Sequence, residues 1–214
     1  YPEPGFPIYE SMINYSGAKA VPMHLSDKNN FSFNVKEVLS LINDKTRLLI
    51  LNNPQNPTGG LIPKDQIDEL AIGLEQYPHV AIMSDEIYSR QIYDGNKMPS
   101  FFYYPKLYDR LIVLDGWSKT YAMTGWRLGW SVWPEQLIEL VTRMAINSYS
   151  CVSAANQVAA IAALNGPHDF LEDMMIKFNK RRKLIVEGLN SIDGIKCNNP
   201  GGAFYVFPNI SETG

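Results

Sequence analysis

Three short apolar runs divide the first part of the chain, and polar residues follow each of them. The runs are LLIL at 48–51, VAIM at 80–83 and LIVL at 111–114. Unbroken apolar runs of this length are typical of strands buried on both faces of a parallel sheet. A helix is predicted after Pro63, between the first two strands, and its apolar residues share one face: Ile67, Leu70, Ala71 and Leu74. Strand, helix and strand in this order predict parallel neighbours joined by a right-handed crossover.

Helical spacing of apolar residues dominates the rest of the chain. Pro134 precedes one predicted helix, and a second, rich in small residues, spans 154–164. Pro167 opens a long amphipathic helix, on which the basic cluster KRRK at 180–183 is interpreted as a solvated face. Asn34 is a suitable N-cap for a short earlier helix. Helices and buried strands in alternation predict an α/β fold with a mainly parallel sheet.

Other segments are predicted to be short or irregular. Residues 1–9 contain three prolines and are predicted to be extended or turning, while 11–17 form a connection and 18–25 a strand. No period is visible in 91–110, which is predicted to be an irregular crossover. A strand-like tail follows Gly194. The chain begins at a tyrosine and stops just after that tail, which suggests the middle of a longer protein.

Composition and charge exclude several function classes. The 214 residues carry a net charge of −3 with mixed signs, and no run of basic residues suggests a membrane or polyanion partner, which argues against a nucleic-acid or membrane partner. No signal-peptide pattern opens the chain, and Cys151 and Cys197 have neither metal-ligand spacing nor disulfide density. His24, His79 and His168 lie far apart, so neither a zinc site nor a histidine triad is favoured. We therefore expect a soluble cytoplasmic protein without a metal site.

Polar side chains follow all three predicted strands. In open parallel sheets, ligands bind beyond the carboxyl ends of the strands, so these side chains are expected to border one crevice. Taken alone, each group has an ordinary interpretation as a turn, an exposed acidic pair or a solvated lysine. Their combination favours a shared site, and its members are Asn53, Asn56, Asp85, Glu86, Ser118 and Lys119.

The segment after 111–114 is expected to place a lysine and an arginine at the carboxyl-end edge of the sheet. Ser118 and Lys119 are predicted to lie in a polar loop, and Arg127 in a second strand. Alternation in that strand places Arg127 opposite a set of side chains predicted to pack into the core: Trp126, Leu128, Trp130 and Val132. Lysine forms Schiff bases with carbonyl compounds, and arginine holds phosphate by two parallel hydrogen bonds. A carbonyl compound with a phosphate describes pyridoxal 5′-phosphate, which is therefore the cofactor hypothesis.

Three motifs also resemble a known family. NPQNPTG at 53–59, SDEIY at 84–88 and SKTYAMTGWRLGW at 118–130 are similar, in order and spacing, to the class I/II aminotransferases of the fold-type I pyridoxal-phosphate enzymes. The resemblance implies a three-layer α/β/α large domain over 1–190, incomplete at its N-terminus, and the start of a small C-terminal domain at 191–214. It also implies a homodimer that acts on an amino acid and a 2-oxo acid.

The resemblance implies a role for each matching residue. Lys119 is expected to form the Schiff base with pyridoxal 5′-phosphate and to move the substrate's proton. Asp85 is expected to pair with the pyridine nitrogen and keep it protonated. Asn56 and Tyr88 are expected to hydrogen-bond the cofactor's phenolate oxygen.

The remaining roles concern the phosphate and the face of the ring. Ser118 and Arg127 are expected to hold the phosphate, and Phe6 to stack on the pyridine ring. Many family members have a serine where this chain has Gly116, which removes one expected phosphate contact. The family's phosphate loop is expected before Tyr1, and its arginine for the substrate carboxylate is expected in the small domain.

Two alternatives to an aminotransferase stay open on the sequence. A β-lyase or related fold-type I enzyme would use the same lysine to direct elimination. A catalytically inactive large-domain fragment would lack the phosphate loop, whose charge-assisted hydrogen bonds each contribute about 1.5–3 kcal/mol.

Overall fold

The computed structural model describes residues 1–214. Four strands form one sheet, two very short strands form another, and seven α-helices surround them. The strands are β1 (Pro2–Glu3), β2 (Met23–His24), β3 (Leu48–Asn52), β4 (Ala81–Asp85), β5 (Leu111–Gly116) and β6 (Gly129–Val132). The helices are α1 (Ile8–Tyr15), α2 (Val35–Ser40), α3 (Lys64–Leu74), α4 (Trp117–Thr120), α5 (Glu135–Tyr149), α6 (Ala154–Asn165) and α7 (Asp169–Asn190).

The main sheet has the order β3-β4-β5-β6. The first three strands are parallel, as their unbroken apolar runs predict, and β6 is antiparallel to β5. Asn52 lies opposite Asp85 in the register, and Asp85 lies opposite Leu114. The carboxyl ends of the three parallel strands therefore meet at one edge, and the predicted α/β fold with a mainly parallel sheet is confirmed.

The core lies between this sheet and the helices α2 and α3. Leu70, Leu74, Val80 and Ile82 are completely buried, and they belong to one apolar cluster that joins both helices to β3, β4 and β5. The predicted N-cap is also confirmed, because Asn34 Oδ1 accepts hydrogen bonds from two backbone amides at the start of α2. The sheet edge is thus mounted on a rigid, closely packed base.

The predictions for the strand containing Arg127 were partly wrong. A turn at Thr124–Trp126 ends at Arg127, whose φ of 54° is left-handed, so regular alternation begins only at Gly129. Of the side chains predicted to pack into the core, only Leu128 is buried, and the others are exposed: Trp126, Trp130 and Val132. The residues that alternate in the sequence form a turn followed by a strand, and not one continuous strand.

The first 25 residues also differ from the prediction. Residues 8–15 form α1 where a turn and a connection were predicted, because Pro7 lies just before the helix, a position that tolerates its fixed φ and missing amide hydrogen. The strand predicted over 18–25 is reduced to β2, which pairs in parallel with β1. The irregular crossover at 91–110 is confirmed, with two single 3₁₀ turns inside it.

All three helices predicted after Pro134 are present. They correspond to α5, α6 and α7, and α5 buries none of its residues. None of the seven helices combines the length and the apolar character needed to cross a membrane. The basic cluster at 180–183 is not wholly solvated as predicted, because Arg182 is only 6% exposed. Its guanidinium binds Asp94 and the carbonyl of Pro200.

The tail after α7 packs back onto the first half of the chain. Gly202 N donates to Gly59 O, and Ala203 N donates to Gln91 O. These two bonds bring residues 200–205 to the sheet edge where the predicted site residues lie.

Candidate active site

A cavity of about 380 Å³ opens at the carboxyl ends of β3, β4 and β5. Its lining contains most of the site residues predicted from the sequence: Phe6, Asn56, Asp85, Tyr88 and Lys119. The other lining residues are Tyr9, Asn52, Ile87, Leu114, Asp115 and Tyr205. An amine, carboxylates, phenols and an amide therefore converge in one space, although their positions span most of the chain.

Asp85 is, with Asp115, one of the two acidic residues that line this cavity. As the last residue of β4, it accepts a hydrogen bond from Tyr9 Oη at Oδ2 (2.6 Å) and one from Ile87 N at Oδ1 (3.2 Å). Burial raises the pKa of Asp85, and the bond from Tyr9 opposes that rise. No cationic side chain of this chain forms an ion pair with it, so a ligand cation would stabilise its charged form.

Lys119 supplies the amine. It lies in the single turn α4, not in the predicted loop, because the residues after β5 coil immediately. Its Nζ lies 5.2 Å from the ring centroid of Phe204 and 5.7 Å from that of Tyr88. Nζ forms no ion pair, and the backbone carbonyl of Lys119 accepts a bond from Gln91 Nε2 (3.2 Å). The amine lies beside two aromatic rings and is free to meet a ligand.

Asn52 and Asn56 join the loop after β3 to β4. Asn52 Oδ1 accepts from the backbone N of Asn56 (2.8 Å), and Asn52 Nδ2 donates to the backbone O of Asp85 (3.1 Å). The loop carrying Asn56 is therefore fixed relative to the acid. The two hydrogen bonds of Asn52 therefore set the spacing between the amide and the carboxylate.

Two residues that the sequence grouped with the site serve other purposes. Asn53 Oδ1 accepts from Ile62 N (2.9 Å) and closes its own loop. Glu86 is buried outside the cavity, where its Oε1 accepts from Ser84 Oγ and Ser100 Oγ, both at 2.9 Å. Both side chains are structural, although they follow strands in the same way as Asn56 and Asp85.

Tyr88 is almost completely buried, and its hydroxyl oxygen lies 2.6 Å from that of Tyr205. Burial raises the pKa of Tyr88, and the bond with Tyr205 raises it further. Tyr88 therefore stays protonated and available as a hydrogen-bond donor.

Ser118 and Arg127 do not line this cavity. Arg127 borders a neighbouring cavity of about 640 Å³, which shares Leu114 and Asp115 with the first one. Its exposed guanidinium donates from Nη1 only to the backbone O of Thr124 (2.9 Å). Ser118 is half-buried, and its hydroxyl forms no hydrogen bond within the chain. Arg127 thus lies beside the cavity, Ser118 adjoins the cavity residue Lys119 in the chain, and both have free donors.

Gly116 leaves no space for the serine found in many family members. A β-carbon there would lie 2.9 Å from both Gly129 Cα and Leu128 O. The close approach of β6 to β5 therefore requires glycine, and the departure from the family pattern follows from packing.

Six cavity residues were not singled out from the sequence, and four of them are polar: Tyr9, Asn52, Asp115 and Tyr205. Asn52 could have been found, because it is a polar residue at the end of a predicted buried strand. Tyr9 and Tyr205 contact residues 76 and 117 positions away. No local pattern marks such long-range contacts.

The residues present fit the ring of pyridoxal 5′-phosphate. A buried carboxylate without a cationic partner suits a protonated ring nitrogen, and a free amine suits an aldehyde. Phenol and amide donors suit a phenolate oxygen, and Phe6 offers an aromatic face that is 43% exposed. The free donors of Arg127, in the neighbouring cavity, and of Ser118, beside Lys119 in the chain, suit a phosphate.

Comparisons with known proteins show what the chain is similar to. The family model described as aminotransferase class I and II matches residues 1–213. A probable aspartate aminotransferase of Methanocaldococcus jannaschii is 40% identical over 220 residues, covering 100% of this chain and 56% of that protein. The aromatic-amino-acid aminotransferase 2 of Thermococcus litoralis is 36% identical over 215 residues, covering 100% and 55%.

The crystal structure of the aspartate aminotransferase from Rhizobium meliloti matches with a TM-score of 0.94 at 34% identity. The match covers 98% of this chain and 52% of that one. The chain therefore spans about half the length of the relatives it matches.

Proposed function

The chain belongs to the class I and II aminotransferase family, and on that premise we propose that it forms the cofactor-binding part of an aminotransferase. The family is pyridoxal-phosphate-dependent, and the proposed reaction moves an amino group from an amino acid to a 2-oxo acid. The single observation that carries the proposal is the cavity in which Lys119 and Asp85 meet Asn56 and Tyr88.

The bound cofactor would supply an aldehyde that bonds to amines and a ring that accepts electrons from the substrate's α-carbon. Lys119 would hold the cofactor through Nζ, and the same atom, once released, would take and return the substrate's proton. Asp85 would keep a proton on the ring nitrogen, because a carboxylate at contact distance favours the cationic form.

The other residues would orient the ring and its phosphate. Asn56 and Tyr88 would donate hydrogen bonds to the phenolate oxygen, and Phe6 would cover one face of the ring. Arg127 would reach the phosphate from the neighbouring cavity, and Ser118 would reach it from the position next to Lys119 in the chain.

Borohydride reduction tests the proposal directly. The chain is incubated with pyridoxal 5′-phosphate and reduced, and the modified lysine is located by peptide mapping. We expect the label on Lys119, and we expect Lys119→Ala to abolish it. Lys64→Ala is the matched control, because that exposed lysine pairs only with Asp68 on the surface of α3. Label spread over surface lysines, or none with excess cofactor, would refute the assignment.

One observation favours the alternative of an inactive fragment. Neither Ser118 nor Arg127 lines the cavity, so phosphate binding depends on donors at its margin. We propose weak turnover by this chain, measured with aspartate and an aromatic amino acid as donors and 2-oxoglutarate as acceptor. Formation of glutamate supports transfer, whereas pyruvate and ammonia released from an amino acid with a β-leaving group would indicate a β-lyase. Ordinary aminotransferase turnover would refute the inactive alternative.

We also propose that the chain associates as a homodimer, as the resemblance implies. The helix α5 supports this proposal because its apolar stripe is exposed, including Leu140 and Met144. Light scattering after gel filtration tests the proposal, and a monomer mass at micromolar concentration would contradict it.

A further inference from the structure

Residues 200–205 reach the cavity from the far end of the chain, and the proposed function gives them no role. Tyr205 lines the cavity and bonds Tyr88, while Phe204 lies against Lys119. We propose that Tyr205 is a further residue of the cofactor site, which orients the hydroxyl of Tyr88, and that Arg182 positions it. This inference rests on the proposed function.

A bound cofactor would determine which of the two phenols donates the hydrogen bond between them. With Tyr88 and Tyr205 alone, either hydroxyl can be the donor. Tyr88 has one hydroxyl hydrogen. When Tyr88 donates it to the cofactor's phenolate oxygen, the bond between the two phenols requires Tyr205 to be the donor and Tyr88 the acceptor. A chain of hydrogen bonds polarises each member, by about 10–30% per bond. Tyr205 thereby makes Tyr88 a stronger donor and prevents it from turning away.

Phe204 and Tyr205 also form one wall of the site. The ring centroid of Phe204 lies 4.7 Å from that of Tyr205 and 5.6 Å from that of Tyr88. On its other side, Phe204 stacks on Phe178 of α7, with centroids 5.7 Å apart and planes 19° apart. The wall that contacts Lys119 is therefore supported by α7.

Arg182 lies one turn beyond Phe178 on the same helix and fixes the segment before the wall. Its guanidinium donates to both oxygens of Asp94 (2.6 and 2.8 Å) and to the backbone O of Pro200 (2.8 Å). The guanidinium carbon also lies 4.3 Å from the ring centroid of Tyr93. The hydroxyl of Tyr93 in turn donates to the backbone O of Ala203 (2.6 Å).

The segment needs this clamp because it has no regular structure of its own. Ala203 is completely buried and left-handed, with a φ of 56°, which an alanine adopts only under constraint. Next to it, a β-carbon on Gly202 would lie 2.5 Å from Pro54 Cβ. The planar guanidinium of Arg182 can hold such a segment, because it donates several hydrogen bonds in fixed directions and also contacts the ring of Tyr93. A lysine ammonium cannot make both kinds of contact in the same way.

The test is the pH at which the near-visible absorbance of the bound cofactor changes. A hydrogen bond to the phenolate oxygen makes the cofactor less basic, so its loss raises this midpoint. We expect Tyr88→Phe to raise the midpoint by about 1–2 pH units. We expect Tyr205→Phe to raise it by about 0.1–0.6 unit, because only the cooperative part is lost. The control Tyr103→Phe changes an exposed tyrosine outside the site and should leave the midpoint unchanged.

The variant Arg182→Lys tests the positioning role. We expect a rise no larger than that of Tyr205→Phe, and no further rise in the double variant, because both changes act through one hydroxyl. If circular dichroism shows that Arg182→Lys does not fold, Asp94→Asn is used as the test variant instead. A purely structural role would lower the melting temperature and leave the midpoint unchanged.

Two failures are distinguishable. If the parent chain shows no cofactor-dependent label on Lys119, the proposed function is overturned, and this inference with it. If Lys119 is labelled but Tyr205→Phe leaves the midpoint unchanged, the inference alone is overturned.

Discussion

The hydroxyl of Tyr9 donates a hydrogen bond to Asp85 Oδ2 (2.6 Å), which joins the first helix to the end of β4. The tyrosine is buried, and its ring meets that of Phe6 edge-on at 5.8 Å. One N-terminal segment therefore supplies both a hydrogen bond to the acid and an aromatic wall. The charge of Asp85 depends on this segment, because no cationic side chain of the chain pairs with it.

Tyr9→Phe is expected to destabilise the cofactor-free chain by about 1.5–3 kcal/mol at pH 7 to 8, because a buried carboxylate loses a donor. Burial holds the pKa of Asp85 above its usual value, and Tyr9 opposes that rise, so the pKa is higher in the variant. The difference between variant and parent should therefore shrink as the pH falls through the raised pKa of Asp85. Urea unfolding at several pH values measures it.

Tyr104→Phe is the matched control for that experiment. Tyr104 also donates to an aspartate, Asp68, but that carboxylate lies at the surface and has Lys64 as a partner. Its effect should be smaller and constant from pH 5 to 8. Equal and pH-independent effects at both tyrosines would contradict a special role for Tyr9.

Asp85→Asn is expected to stabilise the cofactor-free chain and to weaken cofactor binding. A carboxyl whose folded pKa is raised costs stability as the pH rises from its unfolded value, near 3.9, through the raised one. The amide removes that loss, about 1.4 kcal/mol for each unit of elevation. Cofactor affinity should fall about 10- to 100-fold, because the ring nitrogen loses its counter-charge. Denaturant midpoints and titrated Lys119 labelling measure the two effects.

Glu86→Gln is the control for Asp85→Asn, because it changes a buried acid that does not line the cavity. Burial also raises the pKa of Glu86, but its Oε1 faces Ser84 and Ser100 outside the cavity. The amide oxygen can accept both bonds, so stability at pH 7 should not fall and cofactor affinity should not change. Equal losses of affinity in the two variants would show that Asp85 has no direct role.

Most of the fold was predictable because buried strands and amphipathic helices leave unambiguous local patterns. The runs at 48–51 and 111–114 are apolar without interruption, which is typical of a doubly covered strand, and 49–51 and 111–113 are buried. The first helix was missed because prolines at 2, 4 and 7 obscured it, and only Pro7 adjoins the helix. Arg127 was misplaced because a turn can imitate alternation when bulky residues flank it.

The site was predictable where topology alone brings residues together. Asp85 and Lys119 follow neighbouring parallel strands, so strand order determines their proximity. Tyr9, Tyr205 and Arg182 contribute through contacts between distant segments, and their own neighbourhoods in the sequence resemble ordinary helix or loop. A charged cluster such as 180–183 gives no sign of which arginine will be buried, because that depends on the position of Asp94.

Leu74→Ala tests the packed base on which the sheet edge rests. Leu74 is completely buried in the core cluster, so we expect a loss of about 2–5 kcal/mol in the free energy of unfolding. Ile72 lies on the same helix but is 66% exposed, and Ile72→Ala should change stability by less than about 0.5 kcal/mol. Comparable losses in urea unfolding at the two positions would contradict the predicted orientation of α3.

Arg127→Ala tests the phosphate role directly, since the side chain contributes little else. The guanidinium is exposed and bonds only Thr124 O, so the free energy of unfolding should change by less than about 0.5 kcal/mol. Arg127→Gly should gain about 0.5–1 kcal/mol, because glycine adopts a φ of 54° without strain. Both variants should lose about 10- to 100-fold in affinity for pyridoxal 5′-phosphate and little for pyridoxal, which has no phosphate. Equal losses for the two ligands would place Arg127 against the ring instead, and no loss for either would remove it from the site.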